Sequence, residues 1–179
     1  SLILETVFTT HTGKVRVTDF MPPGTPDSCI VRIVEGLAGH VDMRTELAIR
    51  FDYGATIPWV SRRDRRTLTA VAGPNLLAIR TPVPLRGENM HTVAEFTVRK
   101  GDSVPFVMSY GKSFQPLPLA IDAFIALDET EGYWRQWASL CRVKGKWRAD
   151  IMRSLITLKG LSYAPTGGIV AAVTTSLPE

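Results

Sequence analysis

Between Val41 and Asp52 the chain alternates strictly. Val41, Met43, Leu47, Ile49 and Phe51 fall on one side with Thr45, and Asp42, Arg44, Glu46, Arg50 and Asp52 on the other. A period of two places one face on a core and the other in water, so the segment reads as an antiparallel strand. Shorter strand signals occur at Leu2–Thr9, Val15–Phe20, Ile30–Glu35, Thr67–Val71, Leu76–Arg80, Val93–Val98 and Val104–Tyr110. Breakers separate them at 21–27, 36–39, 73–75, 81–84, 100–102 and 115–118. Short strands with turn signals this regular predict a sandwich or barrel, and no βαβ unit is visible.

The period changes near residue 120. Asp128 or Thr130 suits a helix N-cap, and Tyr133, Trp134, Trp137, Leu140 and Cys141 then follow helical spacing. Beyond Lys144-Gly-Lys146 a second helix is expected from Arg148 to Leu161. Ile151, Leu155 and Leu158 stack at i, i+4 and i+7, with Met152 and Ile156 widening the apolar face. Gly160 weakens its end and Pro165 forbids much continuation. The expected order is a β-sandwich over 1–127, a linker helix over 128–143, and a helix with an uncharged loop over 144–179.

Composition adds little to this picture. The 179 residues are 45% hydrophobic and 21% charged, ordinary for a globular chain long enough for one good core. No apolar run approaches the roughly 18 residues of a membrane span, and no signal-peptide layout opens the chain. A cytoplasmic setting without membrane contact is expected. Cys29 and Cys141 form no metal or redox motif, so free thiols are the default and a disulfide is not indicated. The net charge of +4 is mild, and its densest cluster is Ser61-Arg-Arg-Asp-Arg-Arg66. Without interleaved aromatics or a recognition helix it reads as a solvated loop, and nucleic acid is not an expected partner. His11, His40 and His91 lack ligand spacing, so neither a metal nor a cofactor is expected. There is no glycine-rich phosphate cradle and no nucleophile elbow.

One set of motifs goes further. Arg153-Ser-Leu-Ile-Thr-Leu-Lys-Gly-Leu161 and Pro165-Thr-Gly-Gly-Ile-Val-Ala-Ala-Val-Thr-Thr-Ser-Leu-Pro-Glu179 resemble the start of the catalytic barrel in glycoside hydrolase family 15. This is the group of glucoamylases, glucodextranases and bacterial trehalase-like proteins. Val17-Thr-Asp-Phe-Met-Pro-Pro23, Arg32-Ile-Val-Glu-Gly36, Arg50-Phe-Asp-Tyr-Gly54 and Tyr133-Trp-Arg-Gln-Trp137 agree and occur in order. Val173 stands where proline is more usual, and Gly168 where alanine is common.

The resemblance implies a supersandwich-like antiparallel β-sandwich, a linker helix, and then an (α/α)6 barrel of which this chain holds the first helix and loop. It also implies a preceding segment with a Gly-Ser-Ile-Asp-Trp-like motif, and a following one rich in Arg, Trp, Asp and Tyr. Family members invert: a carboxylic acid protonates the glycosidic oxygen while a carboxylate activates water across the sugar. Both groups would lie beyond Glu179. Asp19, Glu35, Asp42, Asp52, Asp128 and Glu131 read as solvated or capping groups, so no catalytic residue is assigned here and the chain alone is expected to be inactive.

Trp134 and Trp137 share a helical face and are weak candidates for stacking on a sugar, although packing is the commoner role. Thr175 and Ser176 are weak candidates for sugar contact, as is Glu179 at the rim of an intact barrel. The expected partners are the rest of the barrel, carbohydrate in the intact protein, and a second copy through the apolar C-terminal segment. The other reading is a stand-alone sandwich that binds glycans or joins subunits.

Overall fold

The computed structural model describes residues 1–25 and 27–171. Among these residues nine strands precede two helices: β1 (Leu4–Thr9), β2 (Gly13–Phe20), β3 (Cys29–Leu47), β4 (Trp59–Arg62), β5 (Thr67–Ala72), β6 (Asn75–Arg80), β7 (Arg86–Glu88), β8 (His91–Arg99), β9 (Ser103–Lys112), α1 (Ala123–Ser139) and α2 (Arg148–Gly160). Every pairing is antiparallel. The larger sheet runs β1-β2-β3-β9-β6-β5-β4, and β8 and β7 extend a second layer from β3. The chain is thus mainly β, a sandwich followed by helices, as its periodicity predicts.

β3 joins the layers. Cys29–Glu35 pairs with β9 and Val31–Gly39 with β2, whereas His40–Leu47 pairs with β8. The break expected at 36–39 is instead a bulge within one 19-residue strand. Val15 pairs with Gly36 and Lys14 with Ala38, leaving Leu37 as the extra residue. Glycine is required on both sides of it. A Cβ on Gly36 would overlap the Arg99 carbonyl, and Gly39 has φ +58 against the Thr12 carbonyl.

Two apolar clusters fill the sandwich. Val15, Val17 and Val34 meet Val41 and Val98, joined by Met43, Phe96, Val104 and Phe106. Leu68, Ala70 and Ile79 meet Ile49, Leu85 and Ala94. On the outer face of the larger sheet, Phe20, Cys29, Val31, Ile33 and Val107 pack against Ala123 and Ala126 of α1. The alternation from Val41 to Phe51 holds, although β3 itself ends at Leu47.

α1 begins earlier than predicted. Asp122, not Asp128 or Thr130, caps it, with Oδ1 accepting from the amides of Phe124 at 2.8 Å and Ile125 at 3.1 Å. Thr130 is fully buried inside the helix. α1 stops at Ser139, short of the expected 143. Contacts divide the chain into Ile3–Glu129 and a smaller unit of Ser1–Leu2 with the chain from Thr130 onward. In the smaller unit α2 buries Ile156, with Met152 and Leu155 half-buried and Ile151 and Leu158 exposed. Its buried stripe therefore centres on Ile156. Arg153 donates to the Ser1 carbonyl at 3.2 Å. No described helix is long and apolar enough to cross a membrane.

Candidate functional site

Two turns of the sandwich carry the non-glycine residues with positive φ among the described residues. After β3, the Phe51 amide donates to the Thr56 carbonyl at 2.9 Å and the Thr56 amide to the Phe51 carbonyl at 3.0 Å, closing a loop over residues 52–55. Asp52, Tyr53 and Gly54 all have positive φ, at 52°, 55° and 96°. Thr56 Oγ1 donates to Asp52 Oδ2 at 2.8 Å, and the Gly54 and Ala55 amides donate back to Phe51 and Asp52. These bonds hold the Tyr53 side chain out, 98% exposed. Asp tolerates the left-handed region, but Tyr pays about 1–2 kcal/mol for it.

The second tip joins β7 to β8 through Asn89 and Met90, with φ 49° and 60°. Both values suit a two-residue type I′ turn, in which Met stands where Gly is usual. Arg50, which precedes the first loop, reaches the second turn, its Nη1 donating to the Ile49 carbonyl at 2.7 Å and the Met90 carbonyl at 3.3 Å. Beside the second turn lies a cleft of about 270 Å³, lined by Leu47, Ile49, Ile57, Pro58 and Val60 and by the residues from Gly87 to Thr92.

The carboxylates are engaged elsewhere. On the solvent face of the second layer, Arg44 bonds Glu95 at 2.8 Å and Glu88 at 3.0 Å, and Arg86 reaches Glu95 at 3.2 Å and Glu88 at 3.3 Å. His91 Nδ1 lies 3.0 Å from Glu46. The hydrogen bond from Arg44 is the largest influence on Glu88 and Glu95, and holds both below the usual glutamate range. Asp64 is also lowered, chiefly by the Arg66 amide. Asp19 binds Arg32 through both oxygens, Glu35 binds Arg16, and Asp42 accepts from Thr97. The lowered carboxylates Asp64, Glu88 and Glu95 stay ionised, whereas a general acid needs its pKa raised.

A larger cavity, about 550 Å³, lies beside Asp64, Arg66, Thr67 and Arg80, over Val107 and Ile121. Arg80 Nη2 donates to the Pro118 carbonyl at 2.5 Å, while its Nη1 is buried with no hydrogen-bond partner. Residues 62–66 are exposed at the turn from β4 to β5, with Arg62 closing β4 and donating to the Leu85 carbonyl.

Of the candidates from sequence, Trp134 is buried and Trp137 half-buried. Trp134 packs edge-on against Tyr133 at 5.3 Å and Trp137 at 6.1 Å, so the rings share no stacking plane. Thr175, Ser176 and Glu179 lie outside the described residues. Sequence reasoning placed Tyr53 in the Arg50–Gly54 motif without giving it a role, and it singled out neither Asn89 nor Met90.

No family model matches the chain. Trehalase of Thermoplasma acidophilum is 32% identical over 173 residues, 93% of this chain and 30% of that protein. Trehalase of Mycobacterium tuberculosis is 32% identical across 100% of this chain and 30% of its own length. Trehalase 1 of Sulfolobus acidocaldarius is 27% identical over 99% of this chain and 29% of its own. The chain thus spans about three-tenths of the curated relatives it matches. A solved chain named as a kojibiose phosphorylase from the human microbiome aligns with 87% of this chain at 8% identity and a TM-score of 0.37, too low to carry an argument.

Proposed function

Because the relatives matching nearly the whole chain are trehalases, we propose that it is a non-catalytic segment of a family 15-like glycoside hydrolase acting on α-glucosidic bonds. The observation that carries this reading is the pairing of coverages. Similarity runs through 93% to 100% of this chain but only 30% of those two trehalases. The ordered motifs from Val17 to Glu179 support it, as does a sandwich leading into helices. Family 15 chemistry is inversion, with an acid and a base about 6.5–9.5 Å apart on opposite sides of the sugar. Here the engaged carboxylates leave that pair to the remainder of the enzyme, and the sandwich braces the barrel that bears it. Cys29 and Cys141, as free thiols, suit a reducing cytoplasm.

Two measurements test the proposal. The purified chain should release no glucose from trehalose or maltooligosaccharides, and release free of host contamination overturns the reading. Removing the matching segment from the Thermoplasma acidophilum trehalase should abolish its activity, and inserting this chain in that place should restore it. Full activity after the deletion would sink the bracing role.

A further inference from the structure

We propose that the cavity beside Arg66 and Arg80 binds a small organic monocarboxylate with an apolar body, its carboxylate received by the Arg80 guanidinium. The register of the larger sheet places that side chain. Thr67 pairs with Arg80, Arg80 with Val107, and Val107 with Val31, so all four lie on the outer face. Ala123 and Ala126 of α1 pack on Val31 and Val107. Past them the row runs into the cavity of about 550 Å³, which Val107, Arg80 and Thr67 line in turn. Arg80 lacks part of its hydrogen bonding there. Its Nη2 donates to the Pro118 carbonyl at 2.5 Å, and its Nη1 is buried without a partner. Among the described residues neither Arg80 nor Arg66 forms an ion pair.

A buried donor on a charged group is costly without an acceptor, and a neutral carbonyl answers only part of a guanidinium. A carboxylate answers more of it, accepting two parallel N–H bonds in the plane of the fork. Because Nη1 is covered and Nη2 is tied to Pro118, the entering carboxylate takes the place of that carbonyl, and residues 117–121 shift with it. The rest of the lining decides what the carboxylate is attached to. Two arginines and one acidic residue, Asp64, leave room for one negative charge. Asp64 Oδ1 accepts from the Arg66 amide at 2.7 Å, which keeps it ionised and held to its own loop. A dianion such as phosphate therefore meets Asp64 with one charge uncompensated. Val107, Leu117, Ile121 and Ala123 make the remaining wall apolar, which suits a hydrocarbon body.

Amide NMR titration of the 179-residue chain with benzoate at constant ionic strength tests the site. Saturable shifts are expected at residues 64–67, 80–82 and 117–123. Benzamide has the shape without the charge, and acetate the charge with little body. Each should bind at least about tenfold more weakly than benzoate. Arg80→Met keeps the stem and removes the unpartnered donor, and should weaken benzoate by about tenfold or more with the rest of the spectrum intact. No saturable shift up to about 100 mM benzoate, where even a site of about 10 mM would fill, overturns the proposal. So does unchanged benzoate affinity in Arg80→Met, or equal affinity for benzamide or acetate. The comparison of the three probes needs no variant, so it decides the matter even where Arg80→Met fails to fold.

Discussion

Gly39 and Gly132 differ in what surrounds them, and the difference predicts opposite signs for one substitution. Gly39 holds φ +58, and a methyl there would press on the Thr12 carbonyl, a backbone atom that cannot swing aside. Gly39→Ala should cost about 2–4 kcal/mol, combining left-handed strain with overlap. A Cβ on Gly132, within α1, meets nothing within 4 Å. Gly132→Ala should instead stabilise by up to about 1 kcal/mol. Urea midpoints of the two variants check both signs, and equal shifts in one direction would refute the account. At this scale the sequence is only partly legible. The glycines at 36 and 39 are visible as a pair, but whether glycine interrupts a strand or permits a bulge depends on Arg99 and Thr12, which lie distant in sequence.

At the scale of elements, α1 illustrates a signal that was present and misplaced. Asp122 precedes a helical run as directly as Asp128 does, but the apolar stretch Ala123-Phe-Ile-Ala-Leu127 resembles the strands before it. Ala123 and Ala126 decide the matter by packing on Val31, Ile33 and Val107. Asp122→Ala should lose both capping bonds and cost about 1 kcal/mol. Circular dichroism through thermal unfolding reads that loss, and an unchanged midpoint would show that the cap contributes nothing. Seven of the nine strands lie on strand signals of the sequence, because each carries alternation or an apolar run. The two missed, β4 and β7, are short and have no buried stripe to announce them. The stripe of α2 was misread for another reason: Ile151, Leu155 and Leu158 meet the spacing rule as well as Met152 and Ile156 do, and periodicity cannot rank adjacent faces.

Across the whole molecule, the charge pattern and the hairpin tips behave differently. The Arg44 and Arg86 network lies on the face that alternation assigns to water, so its place was legible even though its partners were not. Glu88 and Glu95 have folded pKa values below their usual range. Their contribution to stability is therefore complete above that range and is lost as pH falls through the folded values. The melting temperature should drop between about pH 5 and pH 3, and Glu95→Gln should flatten the drop, less visibly at high salt. An equal slope in the variant would remove the network from the account. The tips were illegible because Tyr53 and Met90 break the rules that make sequence readable: a bulky side chain belongs neither in a left-handed turn nor fully in water. β3 carries a consequence of another kind. β2 precedes it and can pair with Val31–Gly39 at once, but its partners β8 and β9 leave the ribosome well after it, so the edge facing β9 and the His40–Leu47 half wait unpaired. The second layer needs the chain out to Arg99 and the larger sheet needs it out to Lys112, which makes assembly late and non-local.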